Sequence, residues 1–213
     1  MNSAAKREKK ELDYFTIEGS YGGSQDWCRD YMMKIGGCAA LTACDSCIYF
    51  DLLARRRQKT RTPLYPFDAE HLTRRDYVRF TKIMKPYLRP RWRGIDRLDL
   101  YTGGFGRYLS DCGCSDLEME PLPGGCSAAE AAAALRRQID HALPVPMLML
   151  HHHDPEFSFY EWHWFLLTGC AFEADGRLLV KAATYGSWRW LDWRRFWETG
   201  YDERGGLVLY RFE

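Results

Sequence analysis

The sequence predicts an α+β fold, and three observations carry that expectation. Helical periodicity dominates the N-terminal part, short apolar strands parted by turn residues dominate the C-terminal part, and no repeat or linker separates the two. The chain has 213 residues, 46% of them hydrophobic and 15% aromatic, which suffices for one sizeable core. We therefore expect a single domain over 13–213 behind a flexible tail over 1–12.

The elements follow in chain order. Asp13 to Ile17 alternates and reads as a short strand, Gly19 to Gly23 as a turn-rich loop, and Gln25 to Lys34 as a loop or short helix. Gly36-Gly37 breaks the chain before a strong helix from about Cys38 to Arg56. There Leu41, Cys44, Ile48 and Leu52 recur at steps of three and four, and the closing arginines suit the negative end of the helix dipole. A second helix runs from about Arg74 to Tyr87, capped by Thr73 with Asp76 and striped by Tyr77, Phe80, Met84 and Tyr87. Pro90 to Gly106 reads as loop with a short strand near Leu98 to Tyr101, and 117–120 as a further strand. Ser127 and Glu130 form a capping box ahead of an Ala-rich helix carrying Leu135, Ile139 and Leu143. Strands are then expected at Met147 to Leu150, His163 to Cys170, Leu178 to Ala183 and Leu207 to Phe212. Asp175-Gly176 marks a hairpin, and a short helix lies near Trp193 to Glu198.

Charge and cysteine content narrow the function classes. Thirty basic and twenty-nine acidic residues give a formal charge of +1, so no global field draws in nucleic acid or an anionic membrane. The local runs at Arg55-Arg56-Arg57 and at Arg89, Arg91 and Arg93 read as a solvated helix end and loop. No apolar stretch reaches the ~18–20 residues of a membrane span. Met1 to Glu11 is charged with no apolar run behind it, unlike a secretion signal. Eight cysteines without such a signal suggest reduced thiols, and the expected compartment is the cytoplasm.

A free thiol can be a nucleophile, and Cys38 is the best candidate. It follows Gly36-Gly37 at a helix N-terminus, where free backbone N–H groups and the dipole favour thiolate. The alternative is a small buried cysteine packing at a helix start. His163 opens a core strand, with Phe165 and Leu167 on its face. It can act as general base, or equally as a core histidine bonded to backbone. The Gln25 side-chain amide can donate into an oxyanion hole.

Taken together, Gln25, Gly36-Gly37-Cys38, the His163 strand ending in Gly169, Asp175-Gly176 and Ala183-Thr184-Tyr185-Gly186 resemble the papain-like cysteine peptidases. The likeness is closer to their bacterial bacteriocin-processing branch and covers residues 21 to about 48 and 145 to 200. The resemblance implies a papain-like α+β fold, with the nucleophile helix of the N-terminal part packed on a C-terminal antiparallel sheet. It also implies a catalytic set of Cys38, His163 and Gln25 without cofactor or metal. The family's orienting Asn or Asp falls at Ala183 or Thr184; a Thr184 hydroxyl can accept from the imidazole but stabilises an imidazolium less than a carboxylate does. The implied reaction is hydrolysis of a peptide or small amide through an acyl-enzyme. Acyl transfer to an amine or thiol, or a degenerate site kept as a binding scaffold, are the alternatives. Neither nucleic acid nor membrane is expected as a partner.

Other clusters are weaker. His151-His152-His153 would need ligands such as Glu156, Glu161 or His163 to hold a metal, and reads as a polar loop near the cleft. Cys44 and Cys47 have ligand-like spacing with Cys112 and Cys114 as a second half, but helical periodicity already explains Cys44. Trp188, Trp190, Trp193 and Trp197 read as core packing.

Overall fold

The computed structural model describes residues 8–212. Its strands are β1 (Glu8–Glu11), β2 (Thr16–Ile17), β3 (Ser20–Tyr21), β4 (Leu117–Pro123), β5 (Val145–Met149), β6 (His163–Phe172), β7 (Leu178–Thr184), β8 (Ser187–Asp192) and β9 (Gly205–Phe212). Its α-helices are α1 (Tyr31–Gly36), α2 (Cys38–Arg56), α3 (Arg74–Met84), α4 (Leu98–Asp111), α5 (Ala128–Asp140) and α6 (Trp193–Trp197). The fold is α+β, with an antiparallel sheet in the order β4-β9-β5-β6-β7-β8.

α2 is the central element. Leu41, Cys44 and Ile48 are buried as expected, but so is nearly every other side of the helix, including Tyr49 and Phe50. A helix apolar all round must be enclosed; here β6 lies against one side and α3 against another. Each fully buried ring of this core contributes on the order of 2 kcal/mol. Asp51, a buried carboxylate on α2, accepts from the Leu64 and Tyr65 backbone N–H groups at 2.7–3.0 Å and so ties down the chain that leaves the helix.

Three expectations are corrected. The tail expected over 1–12 is strand over Glu8–Glu11, which pairs with the far half of β6, from Glu8 opposite Phe172 to Glu11 opposite Gly169. A Cβ on Gly169 would come within 2.9 Å of Lys10 O, so the glycine permits this approach. Ion pairs of Glu11 with Lys181 and of Lys10 with Asp140 fasten the strand. Residues 1–7 of that tail lie outside the described residues. The strand expected near Leu98 to Tyr101 is the first turn of α4. Gly103, Gly104 and Gly106 lower intrinsic helix propensity, yet Tyr101, Phe105, Tyr108 and Leu109 form a buried helical face. A Cβ on Gly104 would sit 2.5 Å from Tyr87 O, so close packing on the turn that follows α3 requires the glycine. Finally, Ser187–Asp192 is β8, the edge strand hairpinned to β7, and of the four tryptophans expected in the core only Trp193 and Trp197 are buried, Trp190 being half-buried and Trp188 exposed on this edge.

Candidate active site

Cys38 is the first residue of α2. Gly37 serves both as C-cap of α1, its N–H donating to Met33 O at 3.1 Å, and as N-cap of α2. A Cβ on Gly36 would lie 2.3 Å from Arg91 O, and one on Gly37 2.4 Å from Met33 O. The two glycines thus allow the tight α1–α2 corner that presents Cys38. The thiol is 4% exposed. Burial pushes its pKa up, while the backbone N–H groups of Trp164, Ala39 and Cys38 itself pull the other way. Burial outweighs the helix N-terminus here, so the thiol rather than the thiolate is the resting form.

His163 opens β6 and is also buried. Its Nε2 lies 2.7 Å from Thr184 Oγ1, across the β6–β7 pair. Of the two positions open for an orienting residue, it is Thr184 and not Ala183 that meets the ring. The imidazole stacks on Tyr185 at 5.1 Å between centroids and lies 6.0 Å from Phe165. Burial pushes its pKa down to about 4, so it is neutral at pH 7. Among the described residues no hydrogen bond joins Cys38 directly to His163.

Gln25 begins a single 3₁₀ turn, Gln25–Trp27, capped by Ser24. Its Nε2 donates to Lys34 O at 2.7 Å, fixing the buried amide against α1. Its Oε1 has no hydrogen-bond partner. Gln25, Cys38, His163 and Thr184 all line one small cavity of about 20 Å³, room for about one water. Comparison of the chain with protein-family models and with curated proteins finds no match in either. The site therefore rests on geometry alone.

Sequence reading missed two residues of this cavity. Asp45 lies two turns along α2 from Cys38, on the same face. It accepts from Tyr77 Oη at 2.6 Å, Tyr14 Oη at 2.8 Å and Gly23 N at 3.2 Å. Burial pushes its pKa up to about 6, although those donors pull it down. It holds the loop leading to Gln25: a Cβ on Gly23 would come 1.9 Å from the Tyr77 ring. A carboxylate inside a buried apolar helix is the signal that could have found it, because such a group must be hydrogen-bonded. Tyr185 is the second, placed over His163 by the turn between β7 and β8.

Two histidines of the run serve the backbone, while His151 packs against the Trp162 and Tyr201 rings. His152 Nε2 lies 2.9 Å from Arg195 O and His153 Nδ1 2.9 Å from Thr199 O, and the His152 pKa is lowered chiefly by burial. Among the described residues no group of three His, Cys, Asp or Glu is arranged to hold a metal ion.

Proposed function

We propose that the chain is a papain-like cysteine hydrolase acting on peptide or small amide bonds. One observation carries the reading: four residues of the kinds this chemistry needs, drawn from separate elements, line a single cavity. With Nε2–H donating to Thr184, His163 Nδ1 keeps its lone pair. It takes the Cys38 proton as sulfur attacks the substrate carbonyl carbon. The oxyanion is met by backbone N–H at the start of α2 and by the second Nε2 proton of Gln25. Collapse of the tetrahedral adduct expels the amine, which leaves with the proton from His163, and water repeats the sequence to free the acid and restore the thiol. Both groups start neutral, so proton transfer accompanies attack. An amine or thiol replacing water at the last step makes the same site an acyltransferase.

The test is acylation of Cys38. Incubation with p-nitrophenyl esters and peptide electrophiles, followed by intact-mass and peptide mapping, is expected to show one acyl group on Cys38. The adduct should be lost in Cys38→Ala and strongly slowed in His163→Ala. A second reading, a catalytically silent binding protein of the same fold, is favoured by the burial of Cys38 without a direct bond to His163. Modification spread over several cysteines, indifferent to His163→Ala, supports that reading instead.

A further inference from the structure

The segment between α3 and α4 forms a wall beside the candidate site and is fixed at three points. Arg91 O packs against Gly36, two residues before Cys38. Gly94 lies under Trp162 O, where a Cβ would meet it at 3.7 Å. Ile95 O accepts from Trp164 Nε1 at 2.6 Å. Trp162 and Trp164 flank His163. The wall is therefore anchored within two residues of both the nucleophile and the base.

Between these anchors the side chains turn to solvent. Trp92 is 77% exposed and stands edge-on to Tyr31 of α1, itself 64% exposed, at 6.5 Å between centroids. Two large rings left in water together mark a contact surface more than a folding requirement. The charges beside them are mostly cationic, with Asp30 before Tyr31 held by Lys85 and Asp96 further along the segment. Arg91, Arg93 and Arg89 on the segment and Lys34 on α1 are exposed. Among the described residues none of the four forms an ion pair, whereas neighbouring Arg97 is matched by Asp99 and Lys85 by Asp30. In a chain of net charge +1 this is a local excess of cation.

We propose that this rim docks an acidic peptide segment bearing an aromatic or bulky apolar side chain, and holds it beside the Cys38 site. The ring of the ligand packs on Trp92 and Tyr31, and its carboxylates face the unmatched guanidinium groups. Arginine and aromatic side chains also suit single-stranded nucleic acid. A peptide is favoured because the segment is anchored within two residues of Cys38 and of His163, a thiol and an imidazole, groups that act on an acyl carbon. The second clause of the proposal rests on the hydrolase reading; the docking clause does not.

Binding is measured by fluorescence anisotropy on the Cys38→Ala protein, so that no turnover intervenes. The probes are a labelled Glu/Asp-rich peptide with a central Phe, its Lys-for-Glu/Asp counterpart, its Ala-for-Phe counterpart and a single-stranded oligonucleotide of equal length. The acidic aromatic peptide is expected to bind at least about tenfold tighter than the basic one, and more weakly as salt rises. Arg91→Glu with Arg93→Glu should weaken it about tenfold, and Trp92→Ala or loss of the central Phe several-fold, roughly the yield of one exposed ring. The substituted side chains are solvent-exposed, and matched thermal melts establish that the variants are folded. Equal binding of acidic and basic peptides, indifference to the three substitutions, or tighter binding of the oligonucleotide overturns the proposal. Peptide capture without any acylation of Cys38 in the wild-type chain sinks the hydrolase reading and leaves the dock. Acylation by neutral esters with no charge preference in binding does the reverse.

Discussion

The His163 imidazole and the Thr184 hydroxyl are joined at 2.7 Å across adjacent strands, which fixes the ring through its Nε2. A hydroxyl holds the neutral tautomer but offers no charge to an imidazolium. Thr184→Val keeps the shape and removes the partner of a buried ring nitrogen, at a cost of about 1–3 kcal/mol in orientation. The rate of Cys38 acylation should fall about tenfold or more, while Thr184→Ser stays close to wild type. Equal rates in Val and Ser variants would show that the hydroxyl does not orient the base.

The pH dependence of Cys38 alkylation follows from burial. Burial raises the thiol pKa, and the imidazole, at about 4, is neutral across the useful range. Iodoacetamide should therefore react slowly at neutral pH, and faster only as pH passes the ordinary cysteine value of ~8.5. His163→Ala should leave the profile nearly unchanged, because a neutral ring lends the thiolate no charge. A midpoint well below the ordinary value that climbs in His163→Ala would show instead that a thiolate–imidazolium pair exists in solution.

Periodicity and turn chemistry made α2, α3, α5 and the β6–β7 hairpin legible, since each has one dominant local signal. The misreadings share a physical cause: tertiary packing decided them. Of the glycines that argue against a helix at 103–106, Gly104 is what lets α4 pack on Tyr87 and Leu88 beyond α3. The charged Glu8–Glu11 becomes a strand only because Gly169 and Lys181 receive it. Of the residues that line the candidate cavity, Cys38, His163 and Gln25 are nameable from residue type and context. The choice of Thr184 over Ala183 needed the strand register, and Asp45 needed the knowledge that Tyr14, Tyr77 and Gly23 converge on it.

Asp45 gives a prediction for stability. Its folded pKa of about 6 lies above the ordinary 3.8, so the folded state holds this proton more tightly than the unfolded chain. The contribution is fully present below the ordinary value and is lost as pH rises through about 6, a loss of up to about 3 kcal/mol. Asp45→Asn retains an acceptor for Tyr77 and Gly23 and cannot ionise. Denaturant titrations at pH 4 and pH 7 should show a smaller difference for Asp45→Asn than for the wild-type chain. Identical pH dependence in the two proteins would place the titration elsewhere.

Tyr185 sets conformational strain against coverage of the site. It and Gly186 make a two-residue turn with φ of 51° and 69°, the left-handed pair that a tight β7–β8 hairpin demands. Glycine meets that demand freely, whereas tyrosine there costs on the order of 1 kcal/mol or more. The ring lies parallel to the His163 imidazole at 5.1 Å, with Phe159 at 5.4 Å from it, so the strained residue covers the imidazole and helps keep it dry. Tyr185→Gly relieves the backbone and removes the cover together, and Tyr185→Asn removes the cover while still tolerating the left-handed turn. Both variants should melt within a few degrees of wild type, since strain relieved offsets packing lost. In both, the His163 pKa, followed by NMR, should rise from about 4 toward the ordinary 6.5, and Cys38 should alkylate several-fold faster as water reaches it. Unchanged titration and alkylation in both variants would mean that other groups shield the imidazole and that Tyr185 is only a turn residue.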